Sequence, residues 1–299
     1  MRLALGSTGA GGAPEFHEAG SAPRALSLGT PLSILKTGRS KPLLFQLRDE
    51  QGQEAGLWVV KAQCRSTYRH KLVLHELAGA ELCAWFGLNT PATGTLRLPT
   101  IPLGTDSTDV GIVAAEIYAT DAGKLAFCSR YIHETYVTDG VLSLQRRRSQ
   151  SIIADGIRLL SLDATTWHHD RCSGSPNAFL VRKRIVPFDN ERAFYDIEGI
   201  QSDGTSIAYS EPIDSTATGE HIAAELAAKN QGSPEWEAFT ERLRALSDSD
   251  IDSMVRRLPD ELDMSPSGSW KKDFRRFLVR RRDCVVSIVN EVRRVLSTR

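Results

Sequence analysis

The chain is poor in the features that small secreted and metal-stapled proteins depend on. Its 299 residues hold five cysteines, an odd number with no Cys-x-x-Cys spacing. Neither a disulfide framework nor a structural zinc site is expected, and a reducing cytoplasm fits best. There is no excess charge of either sign: 37 Lys and Arg face 37 Asp and Glu. Overall charge therefore gives no case for nucleic acid or for an anionic membrane surface. No apolar run approaches the roughly 20 residues that span a bilayer, and Leu3–Leu5 is too short for the core of a signal peptide. Gly-x-Ser-x-Gly is absent, which disfavours serine hydrolase chemistry. What is present, 41% hydrophobic and 25% charged residues, is the composition of a globular chain able to bury a sizeable core.

Residues 1–24 are rich in Gly, Ala, Ser and Pro without periodicity and read as a disordered leader. Gly6–Gly12 invites a phosphate-loop reading, but it follows no strand and lacks a Gly-Lys-Ser/Thr ending. Three β-type runs follow, Leu32–Lys36, Leu43–Arg48 and Leu57–Ala62, and predict an antiparallel meander. The turn between the first two, Thr37–Ser40, is small and basic, with N–H groups able to cover phosphates. Lys61 ends the third run. Tyr68–Phe86 has a helical apolar stripe (Val73, Leu77, Ala80, Ala84) with Glu76 beside it. An inward Glu needs a partner, and Lys61 is the candidate. Val110–Tyr118 and Phe127–Tyr131 read as two more strands, with a connection near Ser129–Glu134 into the second half. Gln145–Ser149 reads as a basic surface run, and Ser151–Leu162 as a helix. Toward the C-terminus four helices are predicted: Thr218–Lys229, Pro234–Leu246, Asp250–Leu258 with Ser249 and Asp252 as a near capping box, and Trp270–Leu296. Most arginines of the last one belong to a solvated face.

The stretch from Leu162 to Phe194 organises the rest. Asp170 and Arg171 lie in a loop, Asn177 opens a strand Ala178–Val181, a basic turn follows, and a second strand Ile185–Phe188 ends on Asp189. A hairpin brings its two ends side by side, so Asp170, Ser175, Asn177 and Asp189 should converge. Acidic and amide oxygens gathered there suit a hard cation such as Mg²⁺. His168, His169 and Cys172 also raise zinc, although adjacent histidines rarely share an ion and no fourth ligand stands at a usual spacing. Cys172 beside His169 raises a thiol nucleophile, a reading that needs geometry.

These residues carry a resemblance. A glycine-containing turn, a strand ending in Lys61, Glu76 on the next helix, Asp170-Arg171 with Pro176-Asn177 downstream, and Asp189 after a hairpin resemble the compact HipA-like kinase family, distantly similar to lipid kinases. Asp163, Asp170, Arg171, Pro176, Asn177 and Asp189 match that family's catalytic stretch in identity and spacing, and the resemblance runs from about Leu32 to the C-terminal helices. It implies a two-lobed α+β, protein-kinase-like fold: a small β-rich nucleotide-binding lobe over 25–128, and a mainly helical lobe with the catalytic hairpin over 129–299. It implies ATP and Mg²⁺ as cofactors and transfer of the γ-phosphate to a Ser or Thr hydroxyl, on a protein acceptor. Asp170 would be the catalytic aspartate. Lys61, with Glu76, would hold phosphates beneath Gly38, Arg39 and Ser40. Asp189 would be the main metal ligand, joined by Asn177 and Ser175. The chain departs from the family at His168 and Ser175, each where Asn is usual, and at Asn190-Glu191 in place of His-Gly. The alternative is therefore an impaired pseudokinase that binds a nucleotide or a protein.

Overall fold

The computed structural model describes residues 13–35, 42–66, 71–100, 108–133, 137–139, 149–172, 174–194, 197, 215–263 and 269–298. The fold is α+β, with a β-rich N-terminal half and a mainly helical C-terminal half.

The N-terminal strands are β1 (Arg24–Ile34), β2 (Leu43–Arg48), β3 (Glu54–Lys61), β4 (Thr93–Arg97) and β5 (Leu125–Arg130). They form a closed barrel in the order β1-β2-β3-β5-β4. β2 and β3 are the expected antiparallel meander, with Phe45 opposite Trp58. Closure comes from a strand that the sequence pattern hides. β4 pairs parallel with β1, Gly94 facing Arg24, and a Cβ at Gly94 would meet the Arg24 carbonyl oxygen at 2.8 Å. Closing the sheet removes the exposed edges of an open meander. The core inside is Leu43, Phe45, Leu47, Trp58, Val60, Leu96 and Cys128.

Val110–Tyr118 is not a strand. It lies in α2 (Asp109–Thr120). Thr108 Oγ1 accepts a hydrogen bond from Gly111 N at 3.1 Å, and the buried positions Gly111, Ala114, Ile117 and Tyr118 recur at helical spacing. The cap and the 3.6-residue period override the β-propensity of the Val and Ile residues. The leader reading gives way from residue 13 onward: His17 N donates to Thr90 O, and Ala92 N to Glu15 O.

Between the two halves lies α1 (Lys71–Trp85), buried along nearly its whole length. Its Val73, Leu77 and Phe86 end share one core with Phe127 of β5 and with Ile153, Ile157 and Leu160 of α3 (Gln150–Thr166). Strand β6 (Val137–Asp139) pairs with the expected hairpin, β7 (Ala178–Val181) and β8 (Arg184–Pro187). Its two-residue turn, Arg182-Lys183, is left-handed at both positions (φ 49° and 64°), which is the turn that matches the strand twist. Arg184 ties the hairpin to α3 through both oxygens of Asp155, at 2.7 and 2.9 Å.

The remaining helices are α4 (Ser215–Glu220), α5 (Ala224–Ala228), α6 (Glu235–Arg244), α7 (Asp248–Arg257), α8 (Trp270–Asp283) and α9 (Val285–Ser297). Thr218–Lys229 is two helices, because His221 and Ile222 leave the helix to bond Asp163 and the Arg171 carbonyl. The capping box before α7 is Ser247 with Asp250, two residues earlier than Ser249 with Asp252. Trp270–Leu296 bends at Cys284, so that Phe274, Phe277 and Leu278 and then Ile288, Val292 and Leu296 follow one curved core.

Candidate functional site

Lys61, the last residue of β3, points out of the barrel strand into the seam beneath α1. Its ammonium donates to Glu76 Oε1 of α1 and to Asp189 Oδ1, the latter at 2.6 Å. The expected Lys61–Glu76 pair is thus present, with Asp189 added to it. Burial alone would lower the Lys61 pKa, but Asp189, Glu76 and Glu191 outweigh it and hold the ammonium well above its ordinary value. Asp189 is lowered: burial works against its charge, yet Lys61, His168 and Arg171 favour it. Burial raises Glu76, and Asp189 adds to this while Lys61 opposes it.

The turn after β8 delivers the acids. Asp189 is left-handed, φ 59°, a conformation that Asp tolerates better than most side chains. The turn is fastened at successive residues. His168 Nε2 donates to Asp189 O at 3.0 Å. Asn190 N donates to Glu76 Oε2 at 2.8 Å. His75 Nδ1 donates to Glu191 O at 2.8 Å. Among the described residues, Glu76, Asp189 and Glu191 each offer a carboxylate oxygen within 4.8 Å of the others. Glu191 is the member that sequence reasoning missed. Burial first, then Asp189 and Glu76, push its carboxyl up to about 7.

Beneath this turn is a second charged group. Arg171, only 1% exposed, pairs with Asp163 of α3 and donates from Nη2 to Asn190 Oδ1 at 2.7 Å and to Phe188 O at 3.2 Å. Asp163 Oδ2 accepts from His221 Nε2 at 2.9 Å. Burial alone would raise Asp163, but Arg171, His168 and His221 hold it down to about 2.

Asp170 lies on the rim. Asn177, also left-handed at φ 43°, donates from Nδ2 to Asp170 Oδ2 at 3.3 Å and to Asp170 O at 3.2 Å. Ser175 Oγ is 3.5 Å from Asn177 Oδ1, and Arg192 Nη1 is 3.5 Å from Asp170 Oδ1. His168 links the two groups. Its Nδ1 accepts from Asp170 N at 3.4 Å while its Nε2–H serves the Asp189 carbonyl. Burial, then Arg171, lowers its pKa to about 4, so the ring is neutral. Both ring nitrogens of His168 are engaged, which leaves none for a zinc ion shared with His169 and Cys172. Of the four residues expected to converge, Asp170, Ser175 and Asn177 are hydrogen-bonded together, whereas Asp189 joins Lys61, Glu76 and Glu191 instead. Gly38, Arg39 and Ser40, and the run 145–148, lie outside the described residues.

A cavity of about 530 Å³ opens elsewhere on the barrel, among Arg24, Gln46, Glu54 and Arg130, and contains none of these residues. No protein-family model matches the chain, and no curated protein matches it. Among the described residues no helix is long and apolar enough to cross a membrane.

The arrangement can do two things. Hard carboxylate oxygens around Asp189 can coordinate a divalent cation. The half-exposed Asp170 carboxylate can accept a proton from a hydroxyl presented at the rim.

Proposed function

We propose that the chain is an ATP-dependent phosphotransferase of the HipA-like kind, with a kinase-like two-lobed organisation and a Ser or Thr hydroxyl on a protein as acceptor. The observation that carries this reading is Lys61 held between Glu76 and Asp189. A strand lysine paired to a helix glutamate beside a metal-binding aspartate is what nucleotide phosphates require in kinases. The barrel would supply the nucleotide-binding lobe, and the chain after Arg130 would be the adenine-side connection.

In this reading Lys61 contacts the phosphates of ATP. The acceptor oxygen attacks the γ-phosphorus, the bond to the ADP oxygen breaks, and the acceptor proton passes to Asp170. Mg²⁺ suits the carboxylate donors at Asp189 and, when bound, would offset charge on the phosphates. Asn177 orients Asp170 through its Nδ2–H. His168 keeps Asp170 and Asp189 in fixed relation. An ATP-using, reduced-cysteine protein of this kind belongs in the cytoplasm.

A second reading is favoured by Arg192. Its guanidinium beside Asp170 occupies the place an acceptor would take, as in a binding module without turnover. Calorimetry with ATP and a γ-phosphate transfer assay on the full chain decide between them. Lys61→Ala is expected to weaken ATP on the order of tenfold. Asp170→Ala is expected to keep ATP affinity and lose transfer by at least about 100-fold. ATP bound without any transfer by the wild type selects the binding module, and no ATP binding at all removes the kinase reading and leaves only a module that binds a protein.

A further inference from the structure

We propose that Glu191 and Asp189 form the protein's own ligand pair for one divalent cation, Mg²⁺ or Mn²⁺, and that Asn177 and Ser175 do not hold it. The role of the ion rests on the phosphotransfer reading; its place rests on geometry.

The first observation is an orphaned atom. Glu191 Oε2 is buried and meets no hydrogen-bond partner among the described residues. A buried carboxylate oxygen left this way is costly unless something else satisfies it. The second is elimination within the cluster of Glu76, Asp189 and Glu191. Glu76 has both oxygens engaged, Oε1 by Lys61 and Oε2 by Asn190 N. That leaves the carboxylates of one turn. Their oxygens lie within 4.8 Å of each other, and two ligands on one Mg²⁺ at about 2.1 Å each sit at most about 4.2 Å apart. A small side-chain rotation closes the difference.

The third observation is how the turn is held. Its anchors are the Asp189 and Glu191 carbonyls, the Asn190 N–H and the Asn190 amide oxygen. Those four contacts fix the backbone and consume no oxygen of the Glu191 carboxylate. Charge gives the same answer. Lys61 is one cation facing three carboxylates, an imbalance that a divalent cation reduces. Ser175 and Asn177, by contrast, face each other, and Asn177 bonds Asp170.

Two protein carboxylates with the rest water is a sufficient site for a hard cation before any nucleotide arrives. Mn²⁺ should bind more tightly than Mg²⁺ at such a site, and its paramagnetism makes it the probe. The test is an electron paramagnetic resonance titration of Mn²⁺ into the nucleotide-free full chain. Wild type is expected to bind one ion, and added Mg²⁺ to displace it. Glu191→Gln, nearly the same shape, is expected to weaken Mn²⁺ by at least about tenfold, with its melting temperature close to wild type in chelator. Glu191→Asp keeps a carboxylate and should retain part of the affinity even if the Gln variant folds poorly. Ser175→Ala, the competing assignment, should bind as wild type does. The proposal is overturned if wild type binds no Mn²⁺ without nucleotide, if Glu191→Gln binds as wild type does, or if Ser175→Ala costs as much. A Glu191-dependent Mn²⁺ site in a protein that never binds ATP would sink the phosphotransfer reading and leave the site standing.

Discussion

Two buried charged groups share one turn, and they are built on opposite plans. Around Arg171 the valences are used up. The guanidinium is spread over Asp163, Asn190 and the Phe188 carbonyl, and Asp163 gives its other oxygen to His221. His221 in turn accepts from Ala223 N at 3.1 Å through Nδ1. Around Lys61, one ammonium pairs with Glu76 and Asp189 and lies in the field of a third carboxylate, Glu191, one oxygen of which is left over. A balanced, fully bonded group can specify a fold; an unbalanced one is stable only if something outside the chain completes it. Asn190 joins them, its amide oxygen on Arg171 and its N–H on Glu76. The first group is therefore the frame on which the second is mounted.

The largest expected effect breaks the frame. Arg171→Ala leaves Asp163 buried without its main partner and should cost about 3–5 kcal/mol in urea or thermal unfolding. Lys61→Ala should cost less, because Glu76, though buried, keeps the Asn190 N–H and has a raised pKa that lets it take up a proton, while Asp189 and Glu191 are only partly buried and water can reach them. Equal losses in the two variants would erase the distinction between frame and site.

Acid should act on the frame next. Asp163 titrates at about 2 in the fold against an ordinary 3.8. A depressed folded pKa contributes stability that is fully present above the unfolded value. That contribution is lost as pH falls from about 4 toward 2, and amounts to about 2 kcal/mol. Unfolding followed by fluorescence over that range should show the loss. Asp163→Asn, less stable to begin with, should lack that part of the slope.

The residues show how far the sequence itself could be read. Lys61 with Glu76 was legible because a strand end and a helical stripe placed them toward each other. The hairpin was legible because two short apolar runs flank Arg182-Lys183. Asp170, Asn177 and Ser175 were legible as neighbours for the same reason. Glu191 was not, since nothing local announces that Asp189 turns left-handed and sends the next carboxylate inward. Barrel closure was hidden because β4 is short and its pairing with β1 is long-range. Helix α2 was misread because Val and Ile mask a helical period. The arginines of α8 show a finer limit. Arg281 is fully buried, its Nε donating to Thr165 O at 2.7 Å and its Nη2 to Ala164 O at 2.6 Å. Arg280 and Arg282 lie outside the core. Three identical residues in a row carry no signal of helical phase on their own.

A smaller effect tests the joint between the groups. Gly79 lies inside α1, where Gly→Ala ordinarily adds up to about 1 kcal/mol. Here a Cβ would stand 2.4 Å from Asn190 Cβ and 2.6 Å from its Cγ. The clash reverses the sign, and Gly79→Ala should destabilise by about 1–2 kcal/mol. It should also weaken Mn²⁺ binding, because Asn190 must move. An Ala variant that is more stable and binds the ion normally would show that Asn190 does not position the turn.

The smallest expected effect has the opposite sign from that of Asp163, and so separates the two groups within one titration. Glu191 is raised to about 7 from 4.5 by burial and then by Asp189 and Glu76, against Lys61 and Arg192. A raised carboxyl pKa means that the fold disfavours the ionised form. The penalty is absent below about pH 4.5, grows as pH rises, and is complete above about 7. In chelator, then, stability should rise as pH falls from about 7 to 4.5, before the Asp163 loss begins. Glu191 is half-buried, so solvent reduces the effect to on the order of 1 kcal/mol. The wild-type slope alone does not single out Glu191, which makes the variant the informative arm. Urea midpoints in chelator should climb toward pH 4.5 in the wild type and lose that component in Glu191→Gln. Saturating Mg²⁺ should flatten the wild-type slope, because a bound cation favours the ionised carboxylate. A slope unchanged in Glu191→Gln would assign it to another group. A wild-type slope that Mg²⁺ leaves untouched would mean that the leftover carboxylate of the Lys61 group is not where the ion binds.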